Sequence, residues 1–557
     1  MSDPSPSVPP AKARATIVMT AKERHGLTLR TIESIVCNTA KPYRFIFADT
    51  RSPTWLSRIL AERAQEWGLE VLRFDASLWQ HALRRRVAPT IDTDYAVFLD
   101  NDMYLKPGWL ERLVACADET GAGIVGPLYL WGADEHTSRI HMAGGRIEEV
   151  PAADGTTMLE AHVLVNRNAR EFTAELQRKE TDFAEYHCML IRTSLLRDGA
   201  LFDERIDRVH EHIDTSLTVR KAGHRIYLEP ASQVVYLAYV RFLLHDIPFF
   251  RERWARPPAE ANLRAFSAKW GVIDDGRAYG GVRRFLGEHR YNIDPIRPDT
   301  RPDGNTMQSA DLRQTLAGLV DLANARRWVP PEWTIVDLAY RVALVLFNSL
   351  YRPCGRPFIN HLVGTASVLA YYQFNAGIVA AGMLHAAYTH CPELPAGPQA
   401  SLDQVYQALG GVGVLEQRVR AYTLRSARWK ELLAAADLQR EITVRDAEVL
   451  AIAAAGELDM HLSGEFRFSG SRNVEEPDNF HLMTQACEVL GVSALSRSLL
   501  AEREKLAGFP APAEAHPRGS FRIVGSSMLP AIHNTAWRLL RQDAGSAGAM
   551  APPTEAA

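Results

Sequence analysis

The chain predicts two folds in series, an α/β domain on a mostly parallel sheet followed by a separate all-α domain. Three observations carry this reading. Short apolar runs alternate with amphipathic stretches through the first half, the composition breaks near residues 287–310, and beyond the break the apolar pattern is helical almost throughout. With 557 residues, 46% of them hydrophobic and 23% charged, the chain is long enough for several cores. Lys and Arg number 63 against 66 Asp and Glu, and a net charge of -3 excludes the positive footprint of a general nucleic-acid binder.

Residues 1–13 are polar and Pro/Ser-rich where a signal peptide needs an apolar core, so they read as a disordered tail on a cytoplasmic protein. A strand at 16–20 leads to an amphipathic helix at 27–37, and a second strand at 43–48 ends at Asp49. A helix at 53–67, a strand at 69–74, another helical stretch and a strand at 95–99 ending at Asp100 follow. In parallel α/β sheets ligands sit beyond the carboxyl ends of the strands, so Asp49 and Asp100 point to one site. This domain occupies 14–286. The stretch GEHRYNIDPIRPDTRPDGNT has no apolar period and reads as a linker over 287–310, before an all-α domain at 311–541 and a low-complexity tail at 542–557.

Two further features bear on the compartment. The uncharged run at 362–384 is long enough to test as a membrane span, but Tyr371-Tyr372-Gln373-Phe374-Asn375 interrupts it, so a buried helical hairpin is expected there and no transmembrane segment. Six cysteines, Cys37, Cys116, Cys188, Cys354, Cys391 and Cys487, form no CxxC pair and read as buried thiols in a reducing compartment.

The string DYAVFLDNDMYLKPGWLERL places Asp100 and Asp102 at the exposed end of an apolar strand. Hard oxygen ligands of this kind suit Mg²⁺ or Mn²⁺, ions that complete their shell with phosphate oxygens and water. A strand-to-loop turn capped by Asp and Asn is the other reading of the same residues. With TIVMTAKERHGLTLRTIESI and RFIFADTRSP ahead of it, the string resembles family 2 glycosyltransferases of the GT-A fold, to about residue 275. The resemblance implies that Asp49 recognises the nucleoside and that Asp100 and Asp102 bind Mn²⁺ or Mg²⁺ and the diphosphate of a nucleotide-sugar donor. DTRSP lacks the second carboxylate or Asn usual after Asp49. Arg84 in HALRRRV matches a basic segment that often contacts the nucleotide, and a solvated helix face is the alternative.

A hydroxyl that displaces a nucleoside diphosphate needs a base nearby, and inversion follows from attack opposite the leaving group. His210-Glu211-His212-Ile213-Asp214 opens an amphipathic helix that stops near Gly223. Family 2 enzymes read Glu-Asp-x-Asp here with the first Asp as base, and His212 stands at that position. Glu211, His212 and Asp214 all remain open as the base, Glu211 favoured because a helix N-terminus suits a carboxylate; capping alone is the plainer reading. SRIHMAGGRIEE, with His141, Gly144 and Gly145, and DFAEYHCMLIRTSLL, with Glu185 and His187, resemble segments bordering the sugar and acceptor pockets, structural histidines being the alternative. The family also places a metal-ligating His after a later strand; Tyr236 falls there, with His245 nine residues on, and no third ligand is assigned.

In the second half, His361 near the start of one helix and His385 near the end of the next can meet over a metal. The stretch resembles the HD metal-dependent phosphohydrolases over roughly 330–500, but Ala386 stands where the His-Asp pair has its Asp, and Glu457 or Asp459 would have to supply an acid. The domain reads as a degenerate HD-like remnant, or as a helical bundle with two core histidines. Two functions are expected in order of preference. The first is a metal-dependent inverting glycosyltransferase acting on an acceptor hydroxyl of a glycan, lipid-linked or protein substrate, in the cytoplasm or peripherally at the inner face of the membrane. The second is an HD-type phosphohydrolase with an N-terminal nucleotide-sugar binding module.

Overall fold

The computed structural model describes residues 12–21, 23–74, 78–197, 201–298, 300, 304–390, 396–411, 413–466, 477–506 and 521–522. The tails expected at 1–13 and 542–557 lie almost wholly outside these residues. The chain divides into two compact units, one from the N-terminus to Gly287 and one from Glu288 onwards, with the short segment Leu243–Pro248 belonging to the second.

The first unit is a mixed α/β domain. Its elements begin β1 (Ala15–Thr20), α1 (Thr28–Asn38), β2 (Arg44–Asp49), α2 (Thr54–Trp67), β3 (Leu69–Arg73), α3 (Gln80–Val87), β4 (Tyr95–Asp100), β5 (Met103–Leu105), α4 (Trp109–Thr120) and β6 (Ile124–Trp131). They continue β7 (Ile140–Met142), β8 (Gly145–Ala152), β9 (Gly155–His162), β10 (Lys179–Glu180), β11 (Cys188–Arg192), α5 (Glu211–Lys221), β12 (Ile226–Tyr236), α6 (Ile247–Arg253), α7 (Arg256–Trp270) and α8 (Ala278–Ile293). Every residue of β1 and β4 is buried, because a strand covered on both faces must be apolar throughout rather than alternating.

The sheet runs β10-β12-β6-β11-β4-β1-β2-β3. Strands β3, β2, β1 and β4 are parallel, as the alternation of strand and helix predicts. The expectation of a mostly parallel sheet needs correcting beyond β4. There β11 inserts antiparallel between β4 and β6, and β5, β7 and β10 also pair antiparallel. Crossover helices signal parallel neighbours, whereas a strand returning through irregular chain leaves no such mark. The β8–β9 hairpin stands apart as its own two-stranded sheet.

The second unit is mostly helical: α9 (Leu316–Ala325), α10 (Pro330–Phe347), α11 (Phe358–Tyr371), α12 (Ala376–Leu384), α13 (Pro398–Ala408), α14 (Val414–Thr423), α15 (Arg425–Ala434), α16 (Leu438–Glu441), α17 (Val444–Leu462), α18 (Pro477–Val489) and α19 (Ser493–Leu506). The expected hairpin forms from α11 and α12, turning at residues 372–375. Asn375 caps α12 by accepting from the Ile378 N–H at 3.1 Å, and its amide donates to the Asp294 carbonyl at 2.9 Å. Among the described residues no helix is long and apolar enough to cross a membrane.

Two expectations fail here. The stretch read as a linker is helical to Ile293, and Ile296, Arg297 and Met307 within it are buried. Its polar composition hides buried ion-pairing rather than a solvated connection. Nor are all the cysteines buried: Cys37 is exposed and Cys354 half-buried, while Cys391 lies outside the described residues.

Candidate active site

The end of β4 is held by a row of hydroxyls on α1. Thr28, Thr31 and Ser34 recur every third residue and so share one helix face. Thr31 Oγ1 donates to the Asn101 carbonyl at 2.7 Å and accepts the Met103 N–H at 3.1 Å, and Ser34 Oγ accepts the Leu105 N–H at 3.2 Å. Asn101 itself turns inward, its amide donating to the Arg24 carbonyl at 2.9 Å and to Thr28 Oγ1 at 3.0 Å. The middle residue of the DXD string is therefore an anchor, and the anchored turn presents Asp100 and Asp102.

Two side chains flank these carboxylates. Arg24 donates to the carbonyls of Leu237 and Ala238 at 2.8 and 2.9 Å and lies 3.9 Å from Asp102 Oδ2. His187 donates from Nδ1 to Asp100 Oδ2 at 2.9 Å, and its ring stacks on Tyr236 at 4.3 Å between centroids. Tyr236 thus backs a histidine that arrives from the turn before β11. Asp100, Asp102 and His187 bring one ligand atom each within 4.8 Å of one another, a set dominated by hard oxygen that fits a divalent cation.

Asp49 closes β2 and is buried; it accepts the Ser52 N–H at 3.0 Å and lies 3.5 Å from the Arg73 guanidinium. Arg84 corrects the alternative of a solvated helix face. Only Arg85 and Arg86 are exposed, whereas Arg84 is fully buried, its guanidinium 3.4 Å from the centroid of the Tyr186 ring and bonded to Gln80 Oε1 at 3.2 Å. Burial lowers its pKa, with Tyr186, Asp100 and Glu211 pulling the other way. It is a buried cation whose field reaches both Asp100 and Glu211.

The three residues left open at the start of α5 separate clearly. Asp214 is wholly buried, with Trp270 Nε1 donating to one oxygen at 2.7 Å and Lys269 Nζ donating to the other at 2.8 Å. Both its oxygens being held, it anchors α5 to α7 and is unsuited to accept a proton from an acceptor. Glu211 is buried beside Arg253, 3.3 Å away. His212 faces neither, lying 3.2 Å from Glu160 Oε1. Burial lowers His212, but Glu160, with Glu211 and Glu185 beyond it, overcomes this and raises it to about 9.

Glu160 and His162, which sequence reasoning passed over, gather beside this site with Glu185 and the histidines already named. Glu185 lies 2.9 Å from His141 Nε2, 3.5 Å from His162 Nε2 and 3.9 Å from His187 Nε2. Glu160, on β9, meets His162 at 3.0 Å and His210 at 3.4 Å as well as His212. Burial would raise both carboxyls, yet the histidines hold Glu160 and Glu185 well below the usual carboxylate range. Two glycines make the approach possible. Gly144 has φ +83°, and a Cβ on Gly145 would stand 2.2 Å from the Phe183 ring, so the chain turns sharply from β7 into β8 just after His141. His210, at φ 57°, is the left-handed residue that starts α5 and points its Nδ1 at Glu160. Glu160 and His162 carried no local motif; their only sequence signal is alternation in a hairpin.

The family model for Glycosyl transferase family 2 matches residues 16–199. The N-terminal region of the chain carries a glycosyl transferase family 2 domain. Solved structures similar to the chain include GalNAc-T7, crystallised with UDP, GalNAc and Mn²⁺, at 15% identity over 54% of this chain and 61% of that one, TM-score 0.34. They also include S. aureus TarS, at 12% identity over 50% of this chain and 44% of that one, TM-score 0.29. The chain therefore spans less than two thirds of the length of either. No curated protein matches it. The glycosyl transferase family 2 match holds Asp49, Arg84, Asp100, Asp102 and the histidines up to 187, and ends before α5.

The helical unit lies beyond the family 2 match, and the residues expected of an HD-like centre assemble only in part. His361 and His385 do meet, edge to face at 5.3 Å between ring centroids. The acid beside them is Asp459, 2.7 Å from His361 Nδ1 and ion-paired with Arg356 at 2.8 Å. Glu457 is the correction. Two residues from Asp459 on α17, it faces the other side of the helix, with His461 3.6 Å and Arg503 4.0 Å away. His385 Nδ1 donates to the Gly382 carbonyl at 2.6 Å, and Ala386 is buried where an acid would be needed.

Proposed function

We propose that the N-terminal unit is a metal-dependent, inverting glycosyltransferase that moves a sugar from a nucleoside-diphosphate donor to an acceptor hydroxyl. One observation carries the reading: within a family 2 domain, a turn latched to α1 presents Asp100 and Asp102 together at the carboxyl end of β4. Asp100 and Asp102 would hold Mn²⁺ or Mg²⁺, which when bound neutralises the charge of the diphosphate leaving group. Asp49, at the end of parallel β2 on the far side of β1, would take the nucleoside. Arg84 supplies a fixed positive charge whose field reaches Asp100. Glu211 is assigned as the base: Asp214 is spoken for by Lys269 and Trp270, and His212, raised to about 9, holds its proton at neutral pH. Direct attack by the acceptor oxygen opposite the diphosphate inverts the sugar carbon. The acceptor class stays as broad as a glycan, a lipid-linked sugar or a protein. The phosphohydrolase alternative receives no support, because Ala386 removes one acid and Arg356 occupies the other.

The test is a panel of UDP-, GDP- and dTDP-sugars assayed for binding and for hydrolysis or transfer with Mn²⁺ or Mg²⁺. Divalent-dependent turnover of one donor is expected, and Asp102→Ala should abolish it without unfolding the protein. Mn²⁺-dependent affinity unchanged by Asp102→Ala for every donor tested would sink the assignment.

A further inference from the structure

His187 uses its two ring nitrogens in opposite directions. Nδ1 donates to Asp100, which fixes the tautomer and leaves the Nε2 lone pair pointing to the other side of the ring. On that side Nε2 meets Glu185 Oε2 at 3.9 Å, and His141 Nε2 reaches the same oxygen at 2.9 Å. One ligand atom from each of His141, Glu185 and His187 falls within 4.8 Å of the other two. The carboxylate–histidine pair formed by Asp100 and His187 is the outer-shell arrangement that orients imidazole ligands in metal sites. The other oxygen of Glu185 lies 3.5 Å from His162, which is held in turn by Glu160 at 3.0 Å. His187 and Glu185 are thus oriented from behind, and all three side chains are largely buried.

We infer that His141, Glu185 and His187 form a second metal site, for a divalent transition metal of the Zn²⁺ or Co²⁺ kind, next to but separate from the Asp100–Asp102 pair. Two imidazoles and one carboxylate select such an ion over Mg²⁺, which prefers oxygen alone. Three protein ligands leave an open coordination position. Entry of the ion at His141 Nε2 moves the proton that this nitrogen gives to Glu185 onto Nδ1, so the ligand stays a neutral imidazole. His187 links the two sites, so an ion on its Nε2 strengthens the hold of its Nδ1–H on Asp100. The inference does not require that the protein transfer sugars.

The experiment uses full-length protein, stripped with chelator and titrated with Co²⁺ alone, without nucleotide. One equivalent should give the visible d–d bands of a low-coordinate nitrogen/oxygen site, and Zn²⁺ should displace it. His141→Gln and Glu185→Gln should each weaken this binding by at least about 10²-fold, whereas Asp102→Asn should leave it in place. Bands lost in Asp102→Asn but kept in the other two would assign the ion to the Asp100–Asp102 pair and overturn the proposal. So would the absence of bands in the wild type. Zn K-edge absorption of the wild-type protein guards against variants that fail to fold: two imidazole nitrogens in the first shell are expected, and one or none refutes the site.

Discussion

Two carboxylates three residues apart open α5, and their surroundings give them different work. Asp214 has no solvent exposure and both oxygens bonded, so its charge is part of the packing between α5 and α7. Asp214→Asn is expected to cost about 3 kcal/mol in urea denaturation, at the low end for breaking a buried pair because Lys269 is partly solvated, with kcat largely kept. Glu211 neighbours Arg253 and lies in the field of Arg84, which also reaches Asp100. Glu211→Gln should keep donor binding and lower transfer by about 10²- to 10⁴-fold, as loss of a general base does. Assaying both variants for donor affinity, transfer and unfolding separates the roles. A folded but inactive Asp214→Asn beside an active Glu211→Gln would move the base three residues along the helix.

At the scale of elements, what the sequence reveals depends on how local the cause is. Strands β1, β2 and β4 and the terminal Asp49 and Asp100 are legible because continuous apolar runs ending in an acid have one physical reading in a parallel sheet. The hairpin of α11 and α12 is legible because an uncharged run broken by Tyr372, Gln373 and Asn375 cannot stay one helix. The cluster of Glu160 and Glu185 with five histidines is not, since its members come from β7, β9, the turn before β11 and the start of α5, and only strand order brings them together. The same limit explains Glu457: spacing shows two acids on α17 but not which face meets α11. The meeting of α11 and α12 carries its own prediction. Burial holds both His361 and His385 well below their ordinary pKa, with neighbouring cations, and for His385 the His361 ring, acting in the same direction. An unfolded chain takes up protons at these positions below about pH 6.5 while the folded one does not, so stability is full above that pH and falls as the pH drops below it. Thermal unfolding between pH 7.5 and 5 should show the second unit losing stability on acidification, and His361→Gln should flatten that slope. An identical slope in wild type and variant would mean that His361 takes up its proton while folded.

At the scale of the whole molecule, composition marks where one unit gives way to the next but misreads what the chain does there. Residues 287–310 look like a solvated connection because they are rich in Arg, Asp and Pro. In the fold those charges are used inward. The Arg297 guanidinium forks onto Glu332 at 2.7 and 2.9 Å and donates to Gln373 Oε1 at 2.8 Å, with both partners of the ion pair largely buried. The backbone is tied down beside it, Arg297 N donating to the Gln373 carbonyl and Asn375 N to the Pro295 carbonyl, each at 2.9 Å. A protease needs an extended, unpaired segment, so residues 288–298 should resist subtilisin in the native protein despite their polar sequence. Removing one partner of a buried pair strands the other charge, and Glu332→Gln is expected to cost about 3 kcal/mol. Where cleavage proceeds through a transiently opened state, that cost raises the cutting rate by roughly 10²-fold. Mass spectrometry of the first fragments should therefore find cuts in 288–298 in Glu332→Gln and scarcely any in the wild type over the same interval. Rapid wild-type cleavage there would mean that the stretch is the loose connection its composition suggests and that the Arg297 ion pair does not hold it.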